Sequence, residues 1–160
     1  MSSCSFIATN FEMPKIESKE KHITVKEAIE LKIKPHELMP WEKMDPNAQV
    51  LIAENEEDLN ELTITKDCYY NVSEYTNYPF IYQVDFSYSE SRAKQLLDYL
   101  TSNIKVDQII ELWRVWIGDD AQNIPYSRLT YNELTLGYLL QLYNWNDENY
   151  KQQYCLVIEK

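Results

Sequence analysis

The sequence contains very little glycine: Gly118 and Gly137 are the only two among its 160 residues. Phosphate-binding P-loops, dinucleotide-binding fingerprints and the nucleophile elbow of α/β-hydrolases all need glycine, because the backbone turns sharply there or approaches a ligand closely. The sequence therefore excludes all three motifs. We predict that the protein uses no cofactor.

Cysteine and histidine are also scarce. The cysteines Cys4, Cys68 and Cys155 are odd in number and far apart, which argues against a disulfide framework and against a closed zinc site. His22 and His36 lack the spacing of zinc ligands. We therefore predict free thiols and no metal site. A catalytic Cys/His dyad or a carboxylate pair stays open, since residues that meet in a fold need not be neighbours in sequence.

Long apolar runs and a secretory leader are both missing. No stretch approaches the roughly 18 uninterrupted apolar residues of a membrane span. The first residues, MSSCSFIATNFEMP, have no basic start, no long apolar core and no small-residue cleavage site. Hydrophobic residues still make up 44% of the chain, which is enough to build a core. We predict a folded cytoplasmic protein that does not enter a membrane.

Basic charge is in the minority along the whole chain. There are 26 acids against 15 bases, for a net charge of −11, and both halves of the sequence are acidic. Such a surface repels nucleic-acid phosphates and anionic lipids, and no local basic patch offsets it. We therefore predict no nucleic-acid partner and no membrane partner. A basic protein is the complementary partner, and the alternative is that the acidity serves only solubility.

Residues 79–117 carry the clearest structural pattern. Apolar and polar side chains alternate from residue 80 to 88, which predicts a strand with one covered face. Ser89 then offers a helix N-cap before an apolar stripe at helical spacing. Residues 109–117 are apolar at odd and even positions alike, as is typical of an inner strand buried on both faces. The stripe consists of Ala93, Leu96, Leu97, Leu100 and Ile104.

These three segments predict a βαβ unit with a right-handed parallel crossover. The fold class is therefore α+β, with a mixed sheet of about four to five strands and two main helices packed on one face, built around the βαβ unit at 79–117. We expect a single domain over residues 1–160, with a less regular N-terminal half (1–78) and a sheet-helix core (79–160). Further strands are expected over 4–8, 49–53, 63–65, 124–130 and 154–158, helices over 25–32 and about 136–144, and loops over 39–48 and 67–78.

Five acids in eight residues form the first candidate functional surface. They have no base among them, and they could attract a basic partner or simply occupy a solvated face at a helix start. On this basis the preferred hypothesis is a small, acidic, non-catalytic binding protein of bacterial type that captures a basic protein. Immunity and antitoxin proteins illustrate that class, by analogy in size and charge only. The five acids are Glu54, Glu56, Glu57, Asp58 and Glu61.

The second candidate site lies on the apolar strand over residues 109–117. Glu111 and Arg114 are charged residues in this strand. Because one position is odd and the other even, their side chains should lie on opposite faces of the sheet. A buried charge needs a partner, so Arg114 could bind a small anion or pair with an acid on a helix. The alternative hypothesis is a small-molecule-binding protein or enzyme with a pocket over the sheet near Arg114, Glu111, Trp113 and Trp116. A third possibility is a homodimer whose exposed aromatic face is its own interface.

Overall fold

The computed structural model describes residues 2–160, apart from the side chain of Glu56. Contacts divide the chain into two compact units: the sheet unit, which runs to Glu17 and again from Leu62 to Lys160, and the 18–61 unit. Compact units can share one domain, so the single domain over 1–160 stays a prediction.

The strands of the described range are β1 Ser3–Thr9, β2 Lys21–Thr24, β3 Gln49–Ile52, β4 Thr63–Lys66, β5 Phe80–Asp85, β6 Ile109–Trp116, β7 Tyr126–Thr130 and β8 Tyr154–Glu159. The α-helices of that range are α1 Val25–Glu30, α2 Glu90–Asn103 and α3 Leu136–Tyr143.

The sheet unit is built on a mixed sheet with the strand order β4-β5-β1-β6-β8-β7. The α+β class and the mixed sheet are confirmed, and the described residues give six strands instead of four or five. β1 pairs antiparallel with β5 on one side and with β6 on the other, so β5 and β6 run parallel with β1 between them. The strand β1 therefore lies between the two parallel strands of the βαβ unit.

The helices α2 and α3 cover one face of this sheet. Ser89 caps α2 as its sequence predicts, because its Oγ accepts a hydrogen bond from the backbone N–H of Arg92 at 3.2 Å. The apolar stripe of α2 then packs on inward side chains of the strands and of α3. α2 has 14 residues, and within residues 2–160 no helix is long and apolar enough to cross a membrane. Side chains fully buried in this core include Ile7, Ile64, Leu96, Leu100, Ile110, Leu112, Leu139, Leu156 and Ile158.

The opposite face of the sheet is covered by the segment 67–78. Phe6 and Val115 are fully buried there, against Val72 and Tyr75 of that segment. Alternation along β1 explains the division, because Phe6 points to this face while its neighbour Ile7 points to the helices. The loop predicted over 67–78 is thus a second, thinner layer of the sheet unit.

The 18–61 unit consists of the two-stranded sheet β2-β3, the short helix α1 and connecting turns. Thr24 followed three residues later by Glu27 is the sequence pattern of a capping box, and the box is present: the N–H of Glu27 donates to Thr24 Oγ1 at 3.2 Å, and the N–H of Thr24 donates to Glu27 Oε2 at 2.7 Å. α1 packs on β3 through a small apolar cluster. The indole of Trp41 anchors the following loop, since its Nε1 donates to the carbonyl of Ile33 at 2.8 Å.

Candidate functional site

The predicted acidic segment leaves β3 and passes through a 3-10 helix, Glu56–Asp58. Lys19 approaches it, with its Nζ 3.2 Å from Asp58 Oδ1 and 3.0 Å from Glu61 Oε2. These contacts lower the pKa of Asp58, chiefly through the hydrogen bond from Lys19 and then through one from Asn55. Asp58 and Glu61 are therefore engaged within the unit and are less available to a partner.

The remaining acids of the segment differ in position. Glu54 and Glu57 are exposed, whereas the side chain of Glu56 lies outside the described part of the structure. Over residues 18–61 the sequence carries 11 acids and 6 bases, and the excess of five equals the five acids of this segment. The negative charge surplus of the 18–61 unit is thus concentrated in the acidic segment.

Beside the acidic segment lies an apolar groove that the sequence did not predict as a site. It has a volume of about 450 Å³, and β3 forms one wall while the turn around His36 and Met39 forms another. We call it the β3 groove. Its lining residues are Ile33, Lys34, His36, Met39, Trp41, Gln49, Val50, Leu51, Ile52, Ala53, Asn55 and Leu59.

Large apolar side chains that line the β3 groove are exposed. Met39 is 51% exposed and Leu51 is 44% exposed, and Leu38, the sequence neighbour of Met39, is 85% exposed. Single exposed apolar residues are ordinary, but several close to one groove are typical of a surface that binds another molecule. The apolar residues around Pro35 and Pro40 are visible in the sequence, but their spacing does not distinguish an exposed groove from a small local core.

β3 pairs with β2 along one of its edges, and its other edge faces away from β2. The N–H of Val25 donates to the carbonyl of Ala48 at 3.0 Å, which identifies that register position as hydrogen-bonded. By the alternation of antiparallel ladders, the backbone groups of Gln49 and Leu51 then point to the other edge. Within residues 2–160 no strand pairs with that edge.

The second candidate site is a small polar cavity around Arg114. Its volume is about 190 Å³, and it is lined by the β1, β5 and β6 strands together with α3. The Arg114 guanidinium carbon lies 5.6 Å from the ring centroid of Tyr143 and 5.5 Å from that of Tyr150, both within cation–π range. The residues lining the cavity are Ser3, Ser5, Val84, Asp85, Phe86, Arg114 and Tyr143.

Arg114 lies on the helix-covered face, as the alternation predicts, but it is not held by an ion pair. Among the side chains that the structure describes, no carboxylate comes within 4.0 Å of it, and its buried Nε has no hydrogen-bond partner. Next to it, burial raises the pKa of Tyr143 to about 12. Tyr143 Oη and Ser5 Oγ share a hydrogen bond of 2.5 Å.

The other predicted pocket residues are divided between the two faces of β6. Glu111 and Trp113 lie on the face away from the helices, where the indole Nε1 donates to Glu111 Oε2 at 2.9 Å. Trp113 also stacks on Phe6 with a centroid distance of 5.9 Å. Trp116 lies on the same face as Arg114 by alternation but does not line its cavity. The four residues therefore do not share one pocket.

The described residues contain no group of three or more His, Cys, Asp or Glu placed to hold a metal ion. No protein-family model, curated protein or solved structure matches this chain.

Proposed function

We propose that this chain is a non-catalytic binding protein whose β3 groove takes an extended basic segment of a protein partner. The observation that carries the proposal is the combination of an apolar groove of about 450 Å³ with an adjoining strand edge and exposed acids. An extended segment can add to the edge of β3 through its backbone, while alternate side chains enter the groove. This is a specific form of the basic-partner hypothesis.

Charge complementarity selects the partner. The 18–61 unit carries an excess of acids, and Glu54 and Glu57 are exposed beside the groove wall. Lys or Arg side chains on the solvent side of a docked segment would meet these acids, while its apolar side chains would contact Leu51 and Met39. The same charge disfavours nucleic acid and anionic membranes as partners. The proposal also includes the prediction that this chain itself is a cytoplasmic, bacterial protein of the immunity or antitoxin type.

The test uses a labelled peptide in which Lys and Leu alternate, with fluorescence anisotropy as the measurement. We expect binding by the wild type, and a loss of about ten-fold or more in affinity on Leu51→Lys, because a charge then enters the apolar wall. The matched control is Val106→Lys, since Val106 is 71% exposed in the sheet unit and does not line the groove. Equal binding by Leu51→Lys, or equal binding of a Glu–Leu peptide, contradicts the proposal.

The acids are tested separately by salt dependence. Replacing Glu54, Glu56, Glu57, Asp58 and Glu61 by their amides should weaken peptide binding and flatten its dependence on ionic strength. Because Glu54 is exposed, Glu54→Gln alone should produce part of the effect. An unchanged salt slope in the five-fold variant removes the acidic segment from the binding surface.

A pull-down from the source cells, run in parallel with wild type and Leu51→Lys, then identifies the partner. The expected result is a basic protein retained only by the wild type and released by high salt. If the chain instead retains a second copy of itself, and light scattering shows a mass that rises with concentration, the groove is a homodimer interface.

A second candidate function is favoured by one observation, the unpartnered Nε of Arg114 beside a polar cavity. A small carboxylate or phosphate compound would satisfy that donor. Thermal-shift measurements with such anions should then give stabilisation that Arg114→Met abolishes. If Arg114→Met changes only the melting temperature, Arg114 is structural and its two tyrosine contacts account for its position.

A further inference from the structure

Two cysteines that are 64 positions apart meet in the sheet unit. Cys4 lies in β1 and is 5% exposed, and Cys68 lies in the segment that follows β4. Their Sγ atoms are 3.3 Å apart. A disulfide bond is about 2.05 Å long, so the two sulfurs need to approach by only a little over 1 Å, which rotation of the side chains supplies.

The backbone around Cys68 is held in place on both sides. The N–H of Asp67 donates to the carbonyl of Ile81 at 2.9 Å, and the N–H of Tyr69 donates to Gln83 Oε1 at 2.9 Å. Both acceptors belong to β5, which pairs directly with β1. The approach of the two sulfurs is therefore set by the sheet itself.

The two sulfurs have different acid–base character. When Cys68 is ionised it accepts the S–H of Cys4. This hydrogen bond lowers the pKa of Cys68 to about 7, and backbone N–H groups of Tyr70 and Tyr69 contribute, while burial and Asp85 oppose the change. The pKa of Cys4 is raised, first by its hydrogen bond to Cys68 and then by burial. The first proton that the pair loses therefore leaves from Cys68, and Cys4 stays a thiol.

Access to solvent is divided in the same way. Cys68 lines an open cavity of about 300 Å³ together with Asn71, Thr76 and Tyr78. Cys4 does not line it and is buried beneath. A small reagent in this cavity meets the nucleophilic sulfur first.

We propose that Cys4 and Cys68 form a redox modification site, in which Cys68 is oxidised by a hydroperoxide and Cys4 then closes a disulfide. In the first step the Cys68 thiolate attacks one peroxide oxygen. The S–O bond forms, the O–O bond breaks, and with hydrogen peroxide the leaving hydroxide takes a proton and becomes water. In the second step Cys4 sulfur attacks Cys68 sulfur, the S–O bond breaks, and the hydroxyl group leaves with the Cys4 proton as a second water.

Formation of the sulfenic acid also prepares the second step. Once Cys68 carries the neutral S–OH group, it is no longer an anion beside Cys4, so the coulombic contribution of Cys68 to the raised pKa of Cys4 is removed. The disulfide then joins β1 to the segment 67–78 and closes a loop that contains the whole 18–61 unit. A closed loop of that length restricts the unfolded chain, so the oxidised protein should melt at a higher temperature than the reduced protein.

The test treats the reduced, full-length protein with a small excess of hydrogen peroxide at neutral pH. We expect the thiol count in denaturant to fall from three to one, the intact mass to fall by two hydrogen atoms, and peptide mapping to show a Cys4–Cys68 link that dithiothreitol reverses. Cys155→Ala is the matched control: because Cys155 is 1% exposed, this variant should form the same Cys4–Cys68 link, with its thiol count falling from two to none. In Cys4→Ala, dimedone should capture the sulfenic acid on Cys68.

Three results overturn the proposal: all three thiols persist in folded wild type, the link involves Cys155, or the link forms only between molecules. A second measurement covers the case in which Cys4→Ala does not fold. Alkylation of Cys68 in the wild type by iodoacetamide should be half-maximal near pH 7, and at that pH about ten-fold faster than that of an ordinary exposed thiol. A midpoint at or above about pH 8.5 contradicts the assignment of Cys68 as the nucleophile.

Discussion

Among single residues of the sheet unit, Tyr143 makes both polar and aromatic contacts. Its hydroxyl bonds to Ser5 in β1, its ring lies 4.8 Å from that of Phe86, and Arg114 lies over its face. Because the side chain is 7% exposed, these contacts are made away from bulk water. Tyr143 therefore links α3 to the centre of the sheet through both polar and aromatic contacts.

Tyr143→Phe removes the hydroxyl and keeps the ring. We expect a loss of about 1 kcal/mol in the free energy of unfolding at neutral pH, because Ser5 Oγ loses a buried partner and keeps only the Trp113 carbonyl at 3.1 Å. Urea denaturation followed by circular dichroism measures this change. Tyr126→Phe is the control, since Tyr126 is 66% exposed in the same unit, and it should change stability by no more than a few tenths of a kcal/mol.

The same variant should alter the response to alkaline pH. The folded pKa of Tyr143 is about 12, above the value of about 10 in an unfolded chain. The stability that depends on its neutral form is therefore complete below about pH 10 and is lost as the pH rises from 10 to 12. Wild type should lose more stability over that window than Tyr143→Phe, and parallel pH profiles would show that Tyr143 does not titrate in this way.

At the scale of the elements, the two main helices begin differently. Ser89 gives α2 a side-chain cap, whereas Thr135, the N-cap residue of α3, makes no side-chain cap hydrogen bond. The first turn of α2 carries Glu90 in addition, which suits the positive end of the helix. The start of α2 is thus fixed locally, and α3 depends more on its packing.

Ser89→Ala and Thr135→Ala form a matched pair of N-cap substitutions in one unit. We expect Ser89→Ala to lower the free energy of unfolding by about 1 kcal/mol, because the N–H of Arg92 loses its acceptor. Thr135→Ala should cost clearly less. Thermal and urea denaturation of both variants provide the comparison, and equal costs would show that the Ser89 bond does not stabilise α2.

At the scale of the whole molecule, the two compact units have very different cores. The six-stranded sheet unit has an apolar cluster on each of its faces, whereas the buried part of the 18–61 unit's cluster is Val25, Ala28 and Val50. A two-stranded sheet with so small a core is only marginally stable by itself. Local opening should therefore be much easier in the 18–61 unit.

Hydrogen exchange followed by mass spectrometry measures this difference. Peptides that cover β2 and β3 should exchange about a hundred-fold faster, or more, than peptides that cover β1 and β6. Peptides from β7 serve as the internal reference, because β7 is an edge strand of the larger sheet. Equal protection of β3 and β6 would mean that the two units open together.

Much of the fold could be predicted from the sequence where local pattern sets the structure. Alternation, the Ser89 cap and a continuous apolar run placed β5, α2 and β6 within a few residues of their observed bounds. The Thr24–Glu27 capping box was equally local and is present. These features depend on residues close together in sequence, so one chain is enough to detect them.

Features that depend on distant pairing were not predictable. The strand over residues 4–8 was expected, but its place between β5 and β6 depends on partners far along the chain. The Cys4–Cys68 contact follows from that placement. In the same way, the β3 groove needs the turn around Met39 to meet β3, and no local pattern reports that meeting.

The central position of β1 has a consequence for biosynthesis. β1 is made before its neighbours β5 and β6, and β6 starts about a hundred residues after Thr9. At roughly 5 to 20 residues per second, the ribosome takes roughly 5 to 20 s to supply that stretch of chain. During that interval Phe6 and Ile7 have no sheet to enter, so the nascent chain presents an apolar segment that a chaperone can hold until β5 and β6 have been made.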